Sequence, residues 1–133
     1  MLERRCAAAA LVALTLLAGS TLGRAQSSFA VDFAWDGTGS CFDPKSPPFS
    51  VSGVPAGTKV LKFTMKDLDA PDYPHGGGSV PYHGQARIER GAFAYRGPCP
   101  PQGQHSYQWT VEADDGAGKT LAKATATKKF PPE

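Results

Sequence analysis

Apolar and polar residues alternate with a period of two in three separate stretches of this chain. The apolar positions are Phe29, Val31, Phe33 and Trp35 in the first stretch, Leu61, Phe63 and Met65 in the second, and Tyr107, Trp109, Val111 and Ala113 in the third. Successive side chains of a β-strand point to opposite faces, so each stretch predicts a strand with one buried and one wet face. Since no apolar stripe of helical period accompanies them, the pattern predicts an all-β sandwich.

Turn-forming residues separate the predicted strands, in a sequence that contains 15 glycines and 12 prolines. An Asp-Gly turn at residues 115–118 precedes the segment from Lys119 to Phe130, which we expect to return as a strand along Tyr107–Ala113. The short apolar segment from Phe93 to Tyr95 precedes a proline-rich loop. The segment from Asp67 to Gly91 is predicted to be a long irregular insertion, with the glycine run at 76–78 as a turn.

The first 25 residues have the order of a secretory signal peptide. A charged start from Glu3 to Arg5 is followed by an apolar stretch from Cys6 to Leu17 and by a small-residue exit at Gly23-Arg24-Ala25. The apolar stretch is shorter than the roughly 20 residues of a membrane span, and an uncleaved anchor is the alternative. We therefore expect residues 26–133 to form one domain that is exported, either to the periplasm or by secretion.

The charge of the predicted mature chain argues against nucleic acid as a partner. The whole sequence has 14 basic and 12 acidic residues, but Arg4, Arg5, Arg24 and Glu3 would leave with the signal peptide. The remaining basic and acidic residues then balance, and no basic run is longer than Lys128-Lys129. Nucleic-acid-binding domains concentrate basic residues on one face, and this sequence gives no sign of such a face.

Two cysteines, Cys41 and Cys99, remain in the predicted mature chain. An exported protein meets an oxidising compartment, which favours a disulfide between them. In the chain-entropy model such a bridge would contribute about 4 kcal/mol to stability. The alternative is a pair of unlinked buried thiols.

Prolines and glycines crowd the segment before the third alternating stretch, in the order Gly97-Pro98-Cys99-Pro100-Pro101-Gln102-Gly103. Each proline fixes φ and removes a backbone donor, and each glycine allows backbone conformations that are closed to other residues. The segment is therefore a poor strand or helix but a good rigid wall for a pocket. His105 and Tyr107 follow it directly and are candidates to face that pocket, although His105 could instead be satisfied by backbone groups at the start of a strand.

A second candidate segment begins where the predicted strand from Lys59 to Lys66 ends. Asp67 and Asp69 are two residues apart, and a carboxylate in this position can accept hydrogen bonds from the amides of the following turn. We expect that structural role for Asp69, whereas for Asp67 a role in a pocket stays equally open. His75 and His83 come later and could also be ordinary loop residues. The spacing of the three histidines matches no local metal-ligand pair, so no metal site is predicted.

Three segments of the chain resemble motifs of the phosphatidylethanolamine-binding protein family, which includes the Raf kinase inhibitor-like proteins. The segment from Gly97 to Tyr107 resembles the family's Gly-x-Pro-Pro-x-Gly-x-His-Arg-Tyr signature, with Ser106 in the place of arginine. The segment that begins Asp67-Leu68-Asp69-Ala70-Pro71 resembles the Asp-Pro-Asp-Ala-Pro motif. The segment from Ser46 to Lys59 resembles a third motif, with Val51 where tryptophan is usual. The resemblance implies a Greek-key β-sandwich with a long irregular loop region and little helix.

The resemblance also implies a small anion pocket. Carried over position by position, its members would be Asp67, His75, His105 and Tyr107, with Gly97, Pro98 and Pro101 as its wall. His83 is a rival to His75 for the same role. Two imidazoles and a phenol can donate hydrogen bonds to a phosphate or carboxylate, and an aspartate can fix an imidazole tautomer, so binding would depend on pH. The family's C-terminal helix, which borders this pocket, has no counterpart after Phe130, so the chain resembles a member reduced at its C-terminus.

The sequence thus predicts an exported, non-catalytic protein that binds a small anion, such as phosphate or a phospholipid head group, without a cofactor. It would meet a membrane only through lipid head groups. One alternative is a protein-interaction module of the protease- or kinase-inhibitor kind with a vestigial pocket. The other is a weak hydrolase that uses His105 and Asp67, although no Gly-x-Ser-x-Gly nucleophile motif is present.

Overall fold

Seven strands build the computed structural model, which describes residues 28–39 and 41–133. In chain order they are β1 (Ala30–Phe33), β2 (Phe49–Ser52), β3 (Val60–Asp67), β4 (Gly77–Pro81), β5 (Arg87–Ile88), β6 (His105–Asp114) and β7 (Thr120–Phe130). One antiparallel sheet has the order β1-β2-β5, and the other has the order β4-β3-β6-β7. The described residues contain no helix, so the all-β prediction is confirmed.

Alternating burial in the two central strands confirms the period-two prediction. Leu61, Phe63 and Met65 of β3 are buried, while the residues between them are exposed. In β6 the four predicted apolar positions from Tyr107 to Ala113 are all fully buried. The ring of Phe49 in the smaller sheet packs on Phe63 with centroids 4.6 Å apart. The two sheets therefore enclose one aromatic-rich core, in which each large side chain contributes about 1.5–3 kcal/mol by leaving water.

The pairing of β3 with β6 sets the position of the candidate site. The two strands run antiparallel from Val60 opposite Asp114 to Asp67 opposite Tyr107. The end of β3 and the beginning of β6 therefore meet at the same end of the sheet. The strand β7 returns along β6, as predicted, after a turn in which Asp115 Oδ1 accepts hydrogen bonds from two amides of the same turn.

The segment from Asp67 to Gly91 is more regular than predicted, because it contains β4 and β5. Two residues of the glycine run that suggested a turn, Gly77 and Gly78, form the start of β4 instead. A Cβ on Gly77 would lie 1.8 Å from the carbonyl oxygen of Phe63, and one on Gly78 would lie 2.5 Å from the Cβ of Phe93. Only glycine permits such close approach, so a composition typical of turns here belongs to a strand.

The short apolar segment from Phe93 to Tyr95 is not a strand and contributes one isolated bridge, between Lys45 and Ala94. Its aromatic rings nevertheless reach the core, where Phe93 stacks on Phe63 and Tyr95 packs on Trp109. Side-chain packing, rather than strand pairing, therefore accounts for the apolar character of this segment.

A disulfide joins Cys41 to Cys99, with the two Cα atoms 4.5 Å apart, as predicted from the cysteine count. It ties the loop after β1 to the proline-rich segment. The predicted signal peptide lies outside the described residues. Across residues 28–39 and 41–133 no helix is both long and apolar enough to span a bilayer.

Candidate functional site

Asp67, the last residue of β3, is the central residue of the candidate site. Its side chain is buried, with only 4% of the residue surface exposed. The carboxylate atom Oδ1 accepts hydrogen bonds from the backbone amides of Asp69 and Ala70, at 2.9 and 3.1 Å. The chain therefore turns sharply after β3, since Asp67 satisfies the amides that the strand no longer pairs.

His105, the first residue of β6, donates from Nδ1 to the other carboxylate oxygen of Asp67, across 2.6 Å. A carboxylate can only accept, so this bond places a hydrogen on Nδ1 and leaves Nε2 available to a ligand. Burial acts to raise the pKa of Asp67, but the hydrogen bonds from His105 and from the amides of Asp69 and Ala70 hold it below its ordinary value. Asp67 is therefore a carboxylate that fixes the orientation of the imidazole.

Asp69 has the structural role that its position predicted. Its Oδ2 accepts a hydrogen bond of 2.7 Å from the amide of Ser106, and the amide of Leu68 donates to the carbonyl of Ser106. These bonds hold the loop after β3 against the beginning of β6. Ser106 therefore acts here through its backbone.

His75 is buried and is fixed by the backbone of Arg96. Its Nδ1 donates to the carbonyl oxygen of Arg96 across 2.7 Å, while the amide of Arg96 donates to the carbonyl of His75. The imidazole meets the ring of Tyr107 edge-on, with centroids 5.5 Å apart, and lies 4.8 Å from the ring of Tyr73. As in His105, Nδ1 is occupied and Nε2 is the nitrogen left for a ligand.

Tyr107 forms the floor between the two histidines, since its ring also stacks with that of His105 at 6.3 Å. The residue is fully buried, and its hydroxyl lies near the carboxylate of Asp67 and the backbone of Cys99 without a well-formed hydrogen bond to a described residue. Burial and the negative charge of Asp67 raise the pKa of the phenol well above its ordinary value. The hydroxyl is therefore a protonated donor in a position where an acceptor would stabilise it.

These side chains line a cavity of about 300 Å³ between the loop after β3 and the proline-rich segment. The lining residues are Phe42, Asp67, Ala70, Tyr73, His75, Cys99, Pro101, His105 and Tyr107. Five of the seven predicted pocket residues are among them. The other two, Gly97 and Pro98, are buried and do not line the cavity. A Cβ on Gly97 would lie 2.5 Å from the carbonyl oxygen of Asp43, so this glycine allows the proline-rich segment to pack on the loop after β1.

Of the two rival histidines, His75 lines the cavity, whereas His83 is exposed on the loop after β4. The amide of His83 donates to the side chain of Gln85, which is a local turn contact. A wider depression of about 420 Å³ shares His75 with the cavity and is otherwise lined by residues 74, 76–77 and 94–96, but no carboxylate lines it.

Sequence reasoning missed four lining residues, which are Phe42, Ala70, Tyr73 and Cys99. Ala70 and Tyr73 lie between two predicted site residues, Asp67 and His75, so the loop length alone could have suggested them. For Phe42 the sequence offered a weaker indication. It follows Cys41, and the predicted disulfide of Cys41 with Cys99 would bring Phe42 near the proline-rich segment.

One group of potential metal ligands occurs in the described part of the chain. The ligand atoms of Asp67, Asp69 and His105 lie within 4.8 Å of one another. They are joined by the hydrogen bonds already described, from His105 to Asp67 and from the amide of Ser106 to Asp69. The cluster is therefore explained by contacts within the protein, which an ion would have to displace.

The sequence and the fold of this chain were compared with those of known proteins. No protein-family model matches the sequence. A UPF0098 protein from Methanothermobacter thermautotrophicus is 35% identical over an alignment of 91 residues, and the match covers 53% of this chain and 60% of that protein. The chain thus matches less than two thirds of that relative's length.

Two solved structures share the fold. A structure from Chlamydia trachomatis, presented as a homologue of phosphatidylethanolamine-binding protein, matches with a TM-score of 0.57 and 19% identity, over 80% of this chain and 99% of the other. YbcL from Escherichia coli, described as a member of the mammalian family of these proteins, matches with a TM-score of 0.58 and 22% identity, over 80% of this chain and 100% of its own. The resemblance read from the three motifs is therefore confirmed in the fold.

Proposed function

Because this chain has the fold of the phosphatidylethanolamine-binding proteins, we propose that it is a non-catalytic protein that binds a small anion in the cavity beside Asp67. The anion would be a phosphate or carboxylate group, free or as part of a phospholipid head group. The observation that carries this proposal is the pair of histidines, His75 and His105, which line one cavity with both Nδ1 atoms occupied.

The protonation of these histidines determines what they offer a ligand. With Nδ1 bearing the hydrogen, a neutral imidazole presents the lone pair of Nε2, which repels an anion. A protonated imidazole presents an Nε2–H donor and a positive charge, both of which attract it. None of the described residues that line the cavity is lysine or arginine. Positive charge in the lining itself would therefore come from His75 and His105, so that an anion would bind together with a proton, and the guanidinium of Arg96 lies nearby, 5.6 Å from the ring of Tyr73.

The hydroxyl of Tyr107 supplies a further donor that does not depend on pH in the physiological range. It is buried without a partner among the described residues, and an anion in the cavity would satisfy it. Its raised pKa supports a role as donor rather than as nucleophile. Cys99, the cysteine that lines the cavity, is in a disulfide, so no thiolate is available there for covalent chemistry. These features favour binding over hydrolysis.

Export belongs to the same proposal. The order of residues 1–25 supports a signal peptide, and the Cys41–Cys99 disulfide supports an oxidising compartment such as the periplasm or the extracellular space. Fractionation of cells that produce the full chain would test this part. We expect a product shortened by the signal peptide outside the cytoplasm, whereas a full-length cytoplasmic product would contradict it.

Calorimetric titration with inorganic phosphate and with phosphoethanolamine tests the binding. We expect saturable binding at about pH 5.5 and weaker binding at about pH 7.5, because a protonated imidazole attracts an anion and a neutral one does not. His75→Ala and His105→Ala should each weaken binding by about tenfold or more, since each removes a charged hydrogen bond. His83→Ala is the matched control and should bind as the unmodified protein does. Equal loss in all three variants, or no binding at millimolar ligand, would contradict the proposal.

A second candidate, a protein-interaction module, is favoured by one observation. Three of the large apolar side chains exposed in the described residues, Phe42, Leu68 and Tyr73, belong to the loops around the cavity. Exposed aromatic side chains at the rim of a pocket are typical of protein-binding surfaces. Absence of anion binding, together with capture of a specific protein that Phe42→Ala and Tyr73→Ala abolish, would favour this function.

A further inference from the structure

Phe42 occupies an unusual position for an aromatic residue. It is 48% exposed, yet it lines the cavity and stacks on Tyr73, with ring centroids 6.1 Å apart and planes inclined by 26°. Its backbone has φ of +60°, the left-handed region that residues with a Cβ rarely adopt. An exposed aromatic ring and a left-handed backbone both cost free energy in the folded state. Other contacts must therefore hold the ring of Phe42 at the cavity.

Both chain neighbours of Phe42 are anchored. On one side Cys41 is bonded to Cys99, which itself lines the cavity. On the other side the carboxylate of Asp43 accepts hydrogen bonds from the amides of Gly39 and Lys45 and pairs with Arg90 at 2.7 Å. A covalent bond and a set of charged hydrogen bonds therefore fix the backbone of Phe42 in a conformation it would otherwise leave.

The cavity is larger and more apolar than a bare anion needs. Its volume of about 300 Å³ corresponds to roughly ten water molecules in the liquid. The groups that can hold an anion, His75, His105 and Tyr107, are linked by ring contacts, and the ring of Tyr73 lies next to them, 4.8 Å from that of His75. Apart from the carboxylate of Asp67, which is bonded to His105, the remaining lining is mainly apolar: Phe42, Ala70, Tyr73, Cys99 and Pro101.

We propose that Phe42 and Tyr73 form an aromatic wall of the pocket that selects anions carrying an apolar substituent next to the charged group. This inference rests on the proposed anion binding and adds the class of ligand. The charged group would bind at the histidines, and the substituent would cover the exposed faces of the two rings, removing apolar surface from water. The Cys41–Cys99 disulfide positions Phe42, so the preference depends on that bond.

The test compares two anions of equal charge, methylphosphonate and phenylphosphonate, by calorimetry at about pH 5.5, on the acidic side of neutrality where a histidine site favours an anion. The unmodified protein should bind phenylphosphonate about tenfold more tightly, from the apolar area that the phenyl group buries. Phe42→Ala and Tyr73→Ala should each reduce that preference, measured as the ratio of the two affinities in the same variant, to about twofold. Leu121→Ala, which removes an exposed leucine on β7, is the matched control and should keep the full preference.

The outcomes separate this inference from the proposed function. If both phosphonates bind equally well to the unmodified protein, or if Phe42→Ala and Tyr73→Ala keep the tenfold preference, the aromatic wall is wrong and anion binding stands. If neither phosphonate binds, both are wrong. The double variant Cys41→Ser with Cys99→Ser should lose the preference for phenylphosphonate over methylphosphonate, and an unchanged preference in that folded variant would overturn the positioning role of the disulfide.

Discussion

The carboxylate of Asp67, at the end of β3, and the Nδ1 atom of His105, at the beginning of β6, are joined by a hydrogen bond of 2.6 Å. The antiparallel register that sets Asp67 opposite Tyr107 brings these strand ends together. The pairing of the two buried central strands, β3 and β6, therefore also assembles the candidate site. Stability and binding share the same residues, and their pH dependence can be tested together.

Asp67→Asn is expected to lower the free energy of unfolding by about 2 kcal/mol at neutral pH, since it replaces a charged acceptor of three hydrogen bonds by a neutral one. Urea unfolding measures this loss. Asp72→Asn, in an exposed position of the same loop, is the control and should leave stability nearly unchanged. An equal effect of both substitutions would contradict the central role given to Asp67.

The same variant should change how stability depends on acid. Because the folded protein holds the pKa of Asp67 below its ordinary value of 3.8, its carboxylate stabilises the fold above that pH. This contribution is lost as the pH falls below 3.8 and through the lower pKa of the folded state. Urea unfolding between about pH 2 and pH 6 should therefore show a shallower acid loss in Asp67→Asn than in the unmodified protein. If stability fell equally with acid in both proteins, the pKa of Asp67 would not be lowered in the folded state.

At alkaline pH the buried phenols are expected to destabilise the fold. Burial raises the pKa of both Tyr95 and Tyr107 above the ordinary value of 10.0, so above this pH the unfolded chain loses protons that the folded chain keeps. The free energy of unfolding should therefore fall as the pH rises through 10.0. Tyr107→Phe removes a hydroxyl with no partner among the described residues, so it should flatten this fall without a cost at neutral pH. A steeper alkaline fall in Tyr107→Phe would contradict this account.

Removal of the disulfide by Cys41→Ser with Cys99→Ser is expected to lower the free energy of unfolding by about 4 kcal/mol. The bridge closes a loop between residues 58 positions apart. Without it the unfolded chain has a higher conformational entropy, which lowers the free energy of unfolding. Denaturant unfolding measures the difference. A loss below about 1 kcal/mol would mean that other contacts already constrain the loop in the unfolded chain.

Gly77→Ala should destabilise the protein by about 3 kcal/mol or more, since the added methyl group would overlap the carbonyl of Phe63 and separate β4 from β3. Gly116→Ala is the matched control, because the nearest atom to its new Cβ is a side-chain atom of Lys59 at 3.6 Å. Thermal unfolding compares the two variants. Equal melting temperatures would show that β4 can shift without cost.

The sequence predicted well those elements in which one pattern decides the structure. β3 and β6 each have one buried face, so alternation determined their positions to within two residues. β4 was missed because its glycines are required by close packing against Phe63 and Phe93, a constraint between distant segments that composition does not reveal.

In the candidate site too, some residues could be predicted from local motifs and others depend on contacts between distant segments. Asp67, His75, His105 and Tyr107 lie in segments whose motifs identify them, and the structure brings all four to one cavity. Phe42 lies in a segment without a motif, and its place depends on a disulfide and on the ion pair of Asp43 with Arg90, from separate parts of the chain. No local pattern carries that information.

Heteronuclear NMR of the imidazole nitrogens of His75 and His105, with and without phosphate, tests the central claim most directly. In the free protein at about pH 7.5 both rings should carry their hydrogen on Nδ1, and at about pH 5.5 saturating phosphate should shift the Nε2 resonances of both as Nε2–H donates to the anion. The resonances of His83 should not move. Free rings with hydrogen on Nε2, or Nε2 resonances unchanged by phosphate, would contradict the claim that these two histidines form an anion site.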